Sequence, residues 1–190
     1  GGLPGESSYW MSLGGKWKFH FANNPDARPK DFYQAGYNDQ AWEDVEVPMS
    51  WNMYGLQKDG TQKYGTPIYV NQWVIFKYNI AVGDWKNGVM REPPKDYTTY
   101  EYRNEVGSYR RAFTLPQNWK GREVYISFDG VDSFFHLWVN GHYVGCSKDS
   151  RDVAEFDISQ WAKPGHNEVA VEVYRASDGS FLEAQDMFRL

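Results

Sequence analysis

The sequence of 190 residues contains one cysteine, Cys146, so it cannot form an intramolecular disulfide. This cysteine lies in an alternating run of residues, which predicts a small side chain of the core. No block of five or six basic residues is present, and the net charge of −5 gives no general attraction to nucleic acid or to an anionic membrane. No apolar run approaches the roughly 20 residues that a transmembrane helix needs. The sequence therefore predicts neither a nucleic-acid partner nor a membrane span.

The motifs of several common catalytic sites are also missing. The histidines His20, His136, His142 and His166 are scattered and do not have the spacing of a metal site. There is no Gly-rich phosphate loop and no G-x-S-x-G nucleophile motif. A catalytic pair of carboxylates cannot be chosen among 25 acidic residues from composition. The residues by themselves therefore predict no catalytic site.

Aromatic residues, in contrast, are abundant and make up 18% of the chain. Two interpretations compete. The rings can fill the core of a β protein, because they suit a pleated surface. They can also form exposed platforms on which sugars stack. For any one tryptophan the core interpretation is favoured, since most aromatic side chains are buried.

Hydrophobic and polar residues alternate along several segments. In "GKWKFHF", Trp17, Phe19 and Phe21 share one face, and the same period recurs at 109–115 and 168–175. This alternation predicts half-buried antiparallel strands. The expected fold class is all-β, a jelly-roll-like antiparallel β-sandwich of eight or more short strands.

The strongest local signal is the stretch "FFHLWVNGHYVG". Its Asn140-Gly141 pair supplies the positive φ angles of a two-residue hairpin turn. The sequence predicts that strand 134–139 pairs with strand 142–146. His136 and His142 flank this turn and could face each other.

Two segments lack this alternation. Residues 31–42 allow a helical turn or two, interrupted by Gly36. Residues 82–107 are charged and contain Pro93-Pro94, which predicts a long loop between strands. Such a loop would lie at the rim of an active site or contact a neighbouring subunit.

Several motifs together resemble the first domain of glycoside hydrolase family 2 enzymes, and most closely that of the bacterial β-galactosidases. They cover nearly the whole chain: "SLGGKWKF", "VEVPMSWNMYG", "GTPIYVNQ", "FDGVDSFFHLWVNGHYVG" and "SDGSFLEAQDMFRL". The last of these is the most characteristic of galactosidases. The resemblance implies a galactose-binding-domain-like sandwich at 1–190, excised from a multidomain enzyme whose downstream domains include a (β/α)₈ barrel with both catalytic glutamates. The chain itself would then be inactive and have no catalytic residue.

The resemblance also assigns two contacts to the substrate, which would be a β-galactoside or galactose. Asn71 of "PIYVN" would form hydrogen bonds with galactose, and an amide offers both a donor and an acceptor for this. Asp186 of "QDM" would bind a sodium ion that touches a galactose hydroxyl, since hard cations prefer oxygen ligands. Magnesium would belong to other domains of the parent enzyme, which the resemblance implies is a homo-oligomer.

The sequence departs from the family pattern near these residues. Ala184 and Phe188 replace a common acid and a common Trp on either side of Asp186, without removing the proposed ligand. Some relatives bind a peripheral cation through the residue equivalent to Asp178 and a Gln. Lys148 replaces that Gln here, and because an ammonium group repels a cation, we do not expect this site.

Two alternatives remain open from the sequence. The chain could be an autonomous carbohydrate-binding module, which exposed Trp and Tyr side chains on one sheet face would favour. It could also be the same domain of a β-glucuronidase or a β-mannosidase of the family.

Overall fold

The computed structural model describes residues 4–65, 104–177, 179 and 183. Eight strands form there: β1 (Gly15–Ala22), β2 (Glu43–Val47), β3 (Val106–Leu115), β4 (Tyr125–Phe128), β5 (Phe134–Val139), β6 (His142–Ser147), β7 (Ala154–Asp157) and β8 (Gly165–Tyr174). The described helical elements are the short helix α1 (Trp51–Tyr54) and 3-10 turns at Pro4–Glu6, Pro25–Ala27 and Gln117–Trp119. No helix in these ranges is long and apolar enough to cross a membrane.

The strands form two antiparallel sheets. The larger sheet has six strands in the order β2-β1-β3-β8-β5-β6, and the smaller one pairs β4 with β7. In the centre of the larger sheet, β3 and β8 pair over ten residues, from Val106 opposite Tyr174 to Leu115 opposite Gly165. The longest ladder therefore joins segments that are about sixty positions apart in the sequence.

The core lies between the two sheets, where alternate residues of the strands meet. Phe135 and Leu137 of β5 are fully buried. The Phe135 ring lies 4.8 Å from that of Phe128 in β4 and 5.9 Å from that of Phe156 in β7, measured between centroids. In β1, Trp17 and Phe19 are buried as predicted. The predicted antiparallel β-sandwich is thus confirmed.

The predicted hairpin is also confirmed. β5 pairs with β6 around Asn140 and Gly141, whose φ angles are +51° and +81°. Both angles are positive, as a two-residue turn of this type requires, and only glycine adopts the second without strain. A bulge between Leu137 and Trp138 shifts the register.

Two local predictions are wrong, for Cys146 and for the end of the loop, and one possibility, the facing of His136 and His142, is not realised. Cys146 is exposed, because it lies opposite His136 on the outer face of the sheet and not on the core face. His142 pairs with Val139, so the two histidines do not face each other. The loop predicted for 82–107 ends earlier, because Val106 already belongs to β3; residues 82–103 lie outside the described part.

Residues 23–42, here called the arm, cross the outer face of the larger sheet. Residues 31–42 form successive turns, and the helical turn or two that the sequence allows is not formed in this range. The arm buries Phe32 and Trp42 against Ala170 of β8, with Trp138 of β5 packed beside them. This outer layer forms a second, smaller hydrophobic cluster on the opposite face of the sheet from the main core.

Arg110 of β3 fixes the arm to the sheet. Its side chain is buried, with 4% of its surface exposed. The guanidinium group donates to the carbonyl oxygens of Phe32 and Gln34 and to Asp39, whose carboxylate lies 3.0 Å from Nε. A second carboxylate, from Glu168, lies 3.3 Å from Nη2. The alternation at 109–115 predicts that the Arg110 side chain faces solvent. Its burial could not be predicted, because all these acceptors lie far from β3 in the sequence.

Replacing Arg110 with Met should lower the free energy of unfolding by about 2–3 kcal/mol, because buried carbonyl groups lose their donor. Urea denaturation of the chain measures this change. Lys18→Met is the matched control, since its ion pair with Asp44 is exposed and contributes at most about 1 kcal/mol. Equal, small losses in both variants would contradict the role assigned to Arg110.

Candidate functional site

One end of the larger sheet is closed by a buried ion pair. Glu105, which precedes β3, is 1% exposed, and its Oε1 atom lies 2.5 Å from Nη1 of Arg175, which follows β8. The backbone N–H of Arg175 donates to the carbonyl oxygen of Glu105 at 3.0 Å. Next to this pair, the Asn104 side chain accepts a hydrogen bond from the N–H of Ala176 at 2.9 Å. We call Asn104, Glu105 and Arg175 the clasp.

The electrostatics of the clasp are dominated by burial. Removal from water raises the pKa of Glu105 above its ordinary value, and the Arg175 guanidinium only partly offsets this effect. The ionised form of Glu105 therefore depends on Arg175. A buried carboxylate without its cation would be strongly unfavourable.

A third segment reaches the clasp at Gly65. Gly65 has a φ of +67°, and a Cβ atom there would lie 2.7 Å from Oε1 of Glu105 and 3.2 Å from Nδ2 of Asn52. The Asn52 amide donates to the carbonyl oxygen of Tyr64 at 2.7 Å, which holds this approach in place. Gly65 and Asn104 are the residues on either side of segment 66–103. These two described residues therefore both lie at the clasp.

Gly65→Ala should lower the free energy of unfolding by about 2–4 kcal/mol, since the methyl group adds a clash with Glu105 to the strain of a positive φ. Gly36→Ala is the matched control. It also has a positive φ, but its Cβ would meet open space, so a loss of about 1 kcal/mol is expected. Thermal and urea denaturation measure both variants, and similar losses would rule out the close packing at Gly65.

Glu183 is anchored at the same end of the sheet. Its carboxylate accepts hydrogen bonds from the backbone N–H of Ser150 at 2.9 Å and from the Ser150 hydroxyl at 2.5 Å. The same hydroxyl lies 3.4 Å from Oδ1 of Asp132. Burial away from water, and after it the nearby charge of the Glu183 carboxylate, raise the pKa of Asp132 above its ordinary value. The backbone N–H of Ser133 donates to the carbonyl oxygen of Tyr174, the last residue of β8. The loops that carry Asp132 and Ser150 therefore lie next to the clasp.

The two predicted sugar-contacting residues, Asn71 and Asp186, lie outside the described residues. Their described neighbours are Gly65, six positions before Asn71, and Glu183, three positions before Asp186. In the described ranges, no group of three or more His, Cys, Asp and Glu side chains could hold a metal ion.

No pattern in the sequence predicts the clasp. Glu105 falls within the predicted loop at 82–107, and Arg175 follows an alternating strand without any distinguishing motif. The only local signal is a charged residue directly beyond the end of each of two strands. That these two strands are neighbours becomes apparent only from the pairing of Val106 with Tyr174.

Comparison with known proteins extends these observations. A family model described as "Glycosyl hydrolases family 2, sugar binding domain" matches residues 10–190. A β-galactosidase of Priestia megaterium is 42% identical over 184 residues, which cover 97% of this chain and 16% of that protein. The β-galactosidase large subunit of Lactobacillus helveticus is 36% identical and matches 96% of this chain and 28% of the subunit. The chain thus spans less than a third of the length of these relatives.

Solved structures support the fold. A Bacteroides uniformis β-glucuronidase matches with a TM-score of 0.57 and 21% identity, covering 88% of this chain and 14% of that one. A β-glycosidase from Bacteroides vulgatus matches with a TM-score of 0.54 and 24% identity, covering 86% and 17%. At these identities the likeness supports the shared sandwich and not a shared substrate. From the family match over nearly all of its length, the chain belongs to glycoside hydrolase family 2 and corresponds to its sugar-binding domain.

Proposed function

We propose that this chain is the N-terminal sugar-binding domain of a larger, retaining β-galactosidase that hydrolyses terminal β-D-galactosides. The observation that carries the proposal is the 42% identity to a β-galactosidase over nearly the whole chain. The parent enzyme would work through a galactosyl-enzyme intermediate, with both catalytic glutamates in downstream domains. It would be a homo-oligomer. The domain would orient the sugar and would have no activity by itself.

In this proposal the clasp end of the sheet faces the substrate. Asn71 and Asp186 would supply the two contacts to galactose, directly and through sodium. In the sequence, Asp186 comes three positions after Glu183, and Asn71 comes six positions after Gly65. Gly65 packs on Glu105 and Glu183 accepts a hydrogen bond from Ser150, so these two described residues lie at one end of the sheet. This supports a joint role for Asn71 and Asp186.

The sodium ion is part of the proposal. A carboxylate such as that of Asp186 suits a hard monovalent cation, which would fix one galactose hydroxyl when bound. Glu183 already accepts two hydrogen bonds from Ser150, and it is not a proposed ligand of the ion. Magnesium is proposed only for other domains of the parent enzyme.

The test measures the hydrolysis of three nitrophenyl glycosides by the complete polypeptide that carries this chain. The three are the β-galactoside, the β-glucuronide and the β-mannoside. We expect hydrolysis of the galactoside alone, with retention of anomeric configuration in proton NMR. The 190-residue chain should have no activity. Preference for the glucuronide or the mannoside would keep the family and overturn the sugar, and hydrolysis by the purified chain alone would overturn the domain role.

A further inference from the structure

Three polar side chains lie in a row on the outer face of the larger sheet, beneath the arm. His20 of β1 is opposite Ser108 of β3, and Ser108 is opposite Glu172 of β8. The arm contacts both neighbours of Ser108. The Trp42 ring lies 5.4 Å from that of His20, measured between centroids, and Nε of Arg28 lies 3.3 Å from the Glu172 carboxylate. Ser108 between them is completely buried, so the arm closes over the middle of the row.

Two atoms of this row are buried and unpaired. Nδ1 of His20 and Oγ of Ser108 have no hydrogen-bond partner among the described residues. The two residues are directly opposite each other, and in such a pair the Cβ atoms are about 5 Å apart. Proteins rarely leave a buried polar atom without a partner, because the atom loses its hydrogen bonds to water on folding. Two such atoms side by side indicate a small polar molecule that binds both.

The chemistry of the two side chains fits a neutral molecule that both donates and accepts. Burial lowers the pKa of His20, and the backbone of the same residue offsets this effect only in part, so the imidazole is neutral at pH 7. A neutral imidazole has one donor and one acceptor nitrogen, and the Ser108 hydroxyl can donate and accept. Neither side chain therefore brings a charge to the space between them.

A cation does not fit this position. The Glu172 carboxylate already accepts from Nε of Arg28 at 3.3 Å and from the Tyr174 hydroxyl at 2.8 Å. Arg110 of β3 is on the same face of the sheet, and Lys18 lies opposite it in β1. The carboxylate of the row is thus paired, and two positive side chains lie beside the row, which favours a neutral ligand over a cation.

We propose that one water molecule is bound beneath the arm, where it joins Nδ1 of His20 to Oγ of Ser108. Two hydrogen bonds of about 2.8 Å span up to about 5.6 Å, which matches the spacing of opposite side chains. Internal waters characteristically bind polar groups that would otherwise be unsatisfied. The molecule attaches β1 to β3 on the outer face and supports the arm. The inference goes beyond the proposed galactosidase activity and does not depend on Asn71 or Asp186.

The direct test is a crystal structure of the complete polypeptide at a resolution that shows ordered water. We expect a water oxygen within about 3.2 Å of both Nδ1 of His20 and Oγ of Ser108. A direct hydrogen bond between the two side chains, with no water between them, would overturn the inference. A well-ordered site that contains no water would also overturn it.

The sign of the effect of Ser108→Ala is a second test. A hydroxyl that binds an internal water stabilises the packing of the arm, whereas a buried hydroxyl without a partner destabilises it. We therefore expect hydrogen exchange of the arm to become about tenfold faster in Ser108→Ala, because local opening becomes easier. The backbone N–H of Trp42, which donates to the carbonyl oxygen of Asp39 at 2.9 Å, reports on this opening. Unchanged or slower exchange would contradict the bound water.

His20→Phe completes a double-mutant cycle in the complete polypeptide. By itself it should also make exchange of the arm about tenfold faster. Combined with Ser108→Ala, it removes both polar atoms that need the water, so the double variant should exchange more slowly than the product of the two single effects predicts. Effects that simply multiply would show that His20 and Ser108 share no bound molecule.

Ser127→Ala is the matched control, since Ser127 is an exposed residue of β4 whose hydroxyl donates to Glu155 at the surface. It should leave exchange of the arm unchanged. In Ser108→Ala, the amides of β4 and β7 should also keep their rates, and an equal acceleration there would count against a local site. Hydrolysis of the nitrophenyl galactoside should be the same in all variants, so a failure here is separate from a failure of the proposed function.

Discussion

Replacing Arg175 with Met is expected to lower the free energy of unfolding of the chain by about 3–5 kcal/mol at pH 7. The variant keeps Glu105 buried but removes the cation that lies 2.5 Å from its carboxylate. The charge must then remain without its partner in a low-dielectric site or be neutralised by taking up a proton. Both alternatives are costly at neutral pH, which is why this effect should exceed that of the other stability variants.

The loss should depend on pH with a defined sign. Burial already raises the folded-state pKa of Glu105, and removing Arg175 raises it further. A carboxyl group whose pKa is higher in the folded state favours folding fully below its unfolded pKa, and this advantage is lost as the pH rises through the folded pKa. The destabilisation should therefore be largest at pH 7 and shrink as the pH approaches about 4.3, the ordinary pKa of glutamate.

Urea denaturation of the wild type and the variant at pH 7 and pH 4.5 measures both effects. Arg111→Met is a matched control, because Arg111 donates to the carbonyl oxygens of Leu13 and Gly14 and its loss should not depend on pH. The double variant Glu105→Gln with Arg175→Met should recover much of the stability at pH 7. An Arg175→Met loss that is equal at both pH values would show that Glu105 is not its cause.

Local sequence patterns predict most of the strands because their physical origin is local. Alternation places Trp17 and Phe19 in the core, and Asn140-Gly141 has the backbone preferences of the turn it forms. Cys146 was assigned to the wrong face by the same rule. The bulge after Leu137 shifts the register of β6, and the sequence gives no sign of it.

Contacts between distant segments were beyond such patterns. The burial of Arg110 follows from the arm folding back over the sheet, and the clasp pairs Glu105 with Arg175 while Gly65 packs against it. Each of these residues is unremarkable within its own segment. The family resemblance gave the domain type, because it compares whole motifs, but it contains no information on pairings specific to this chain.

In the complete polypeptide, Asp186→Ala is expected to abolish any dependence of galactoside hydrolysis on sodium. Asp186 is the one carboxylate that the proposal assigns to the ion. Without it, the ion would bind more weakly and would no longer fix the galactose hydroxyl. We expect kcat/KM for the nitrophenyl galactoside to fall about 10–100-fold, the loss that corresponds to a charge-assisted contact of about 1.5–3 kcal/mol. At saturating sodium the wild type and the variant should differ most.

A readout other than activity separates binding of the ion from folding of the stretch. Sodium, titrated against potassium at constant ionic strength, should raise the thermal midpoint of the wild type but not that of Asp186→Ala. Glu183→Gln is the control, since Glu183 anchors the same stretch through Ser150 and is not a proposed ligand. Glu183→Gln should lower the thermal midpoint, but sodium should still raise the midpoint of this variant. A sodium response that survives in Asp186→Ala would place the ion on other ligands and overturn the role proposed for Asp186.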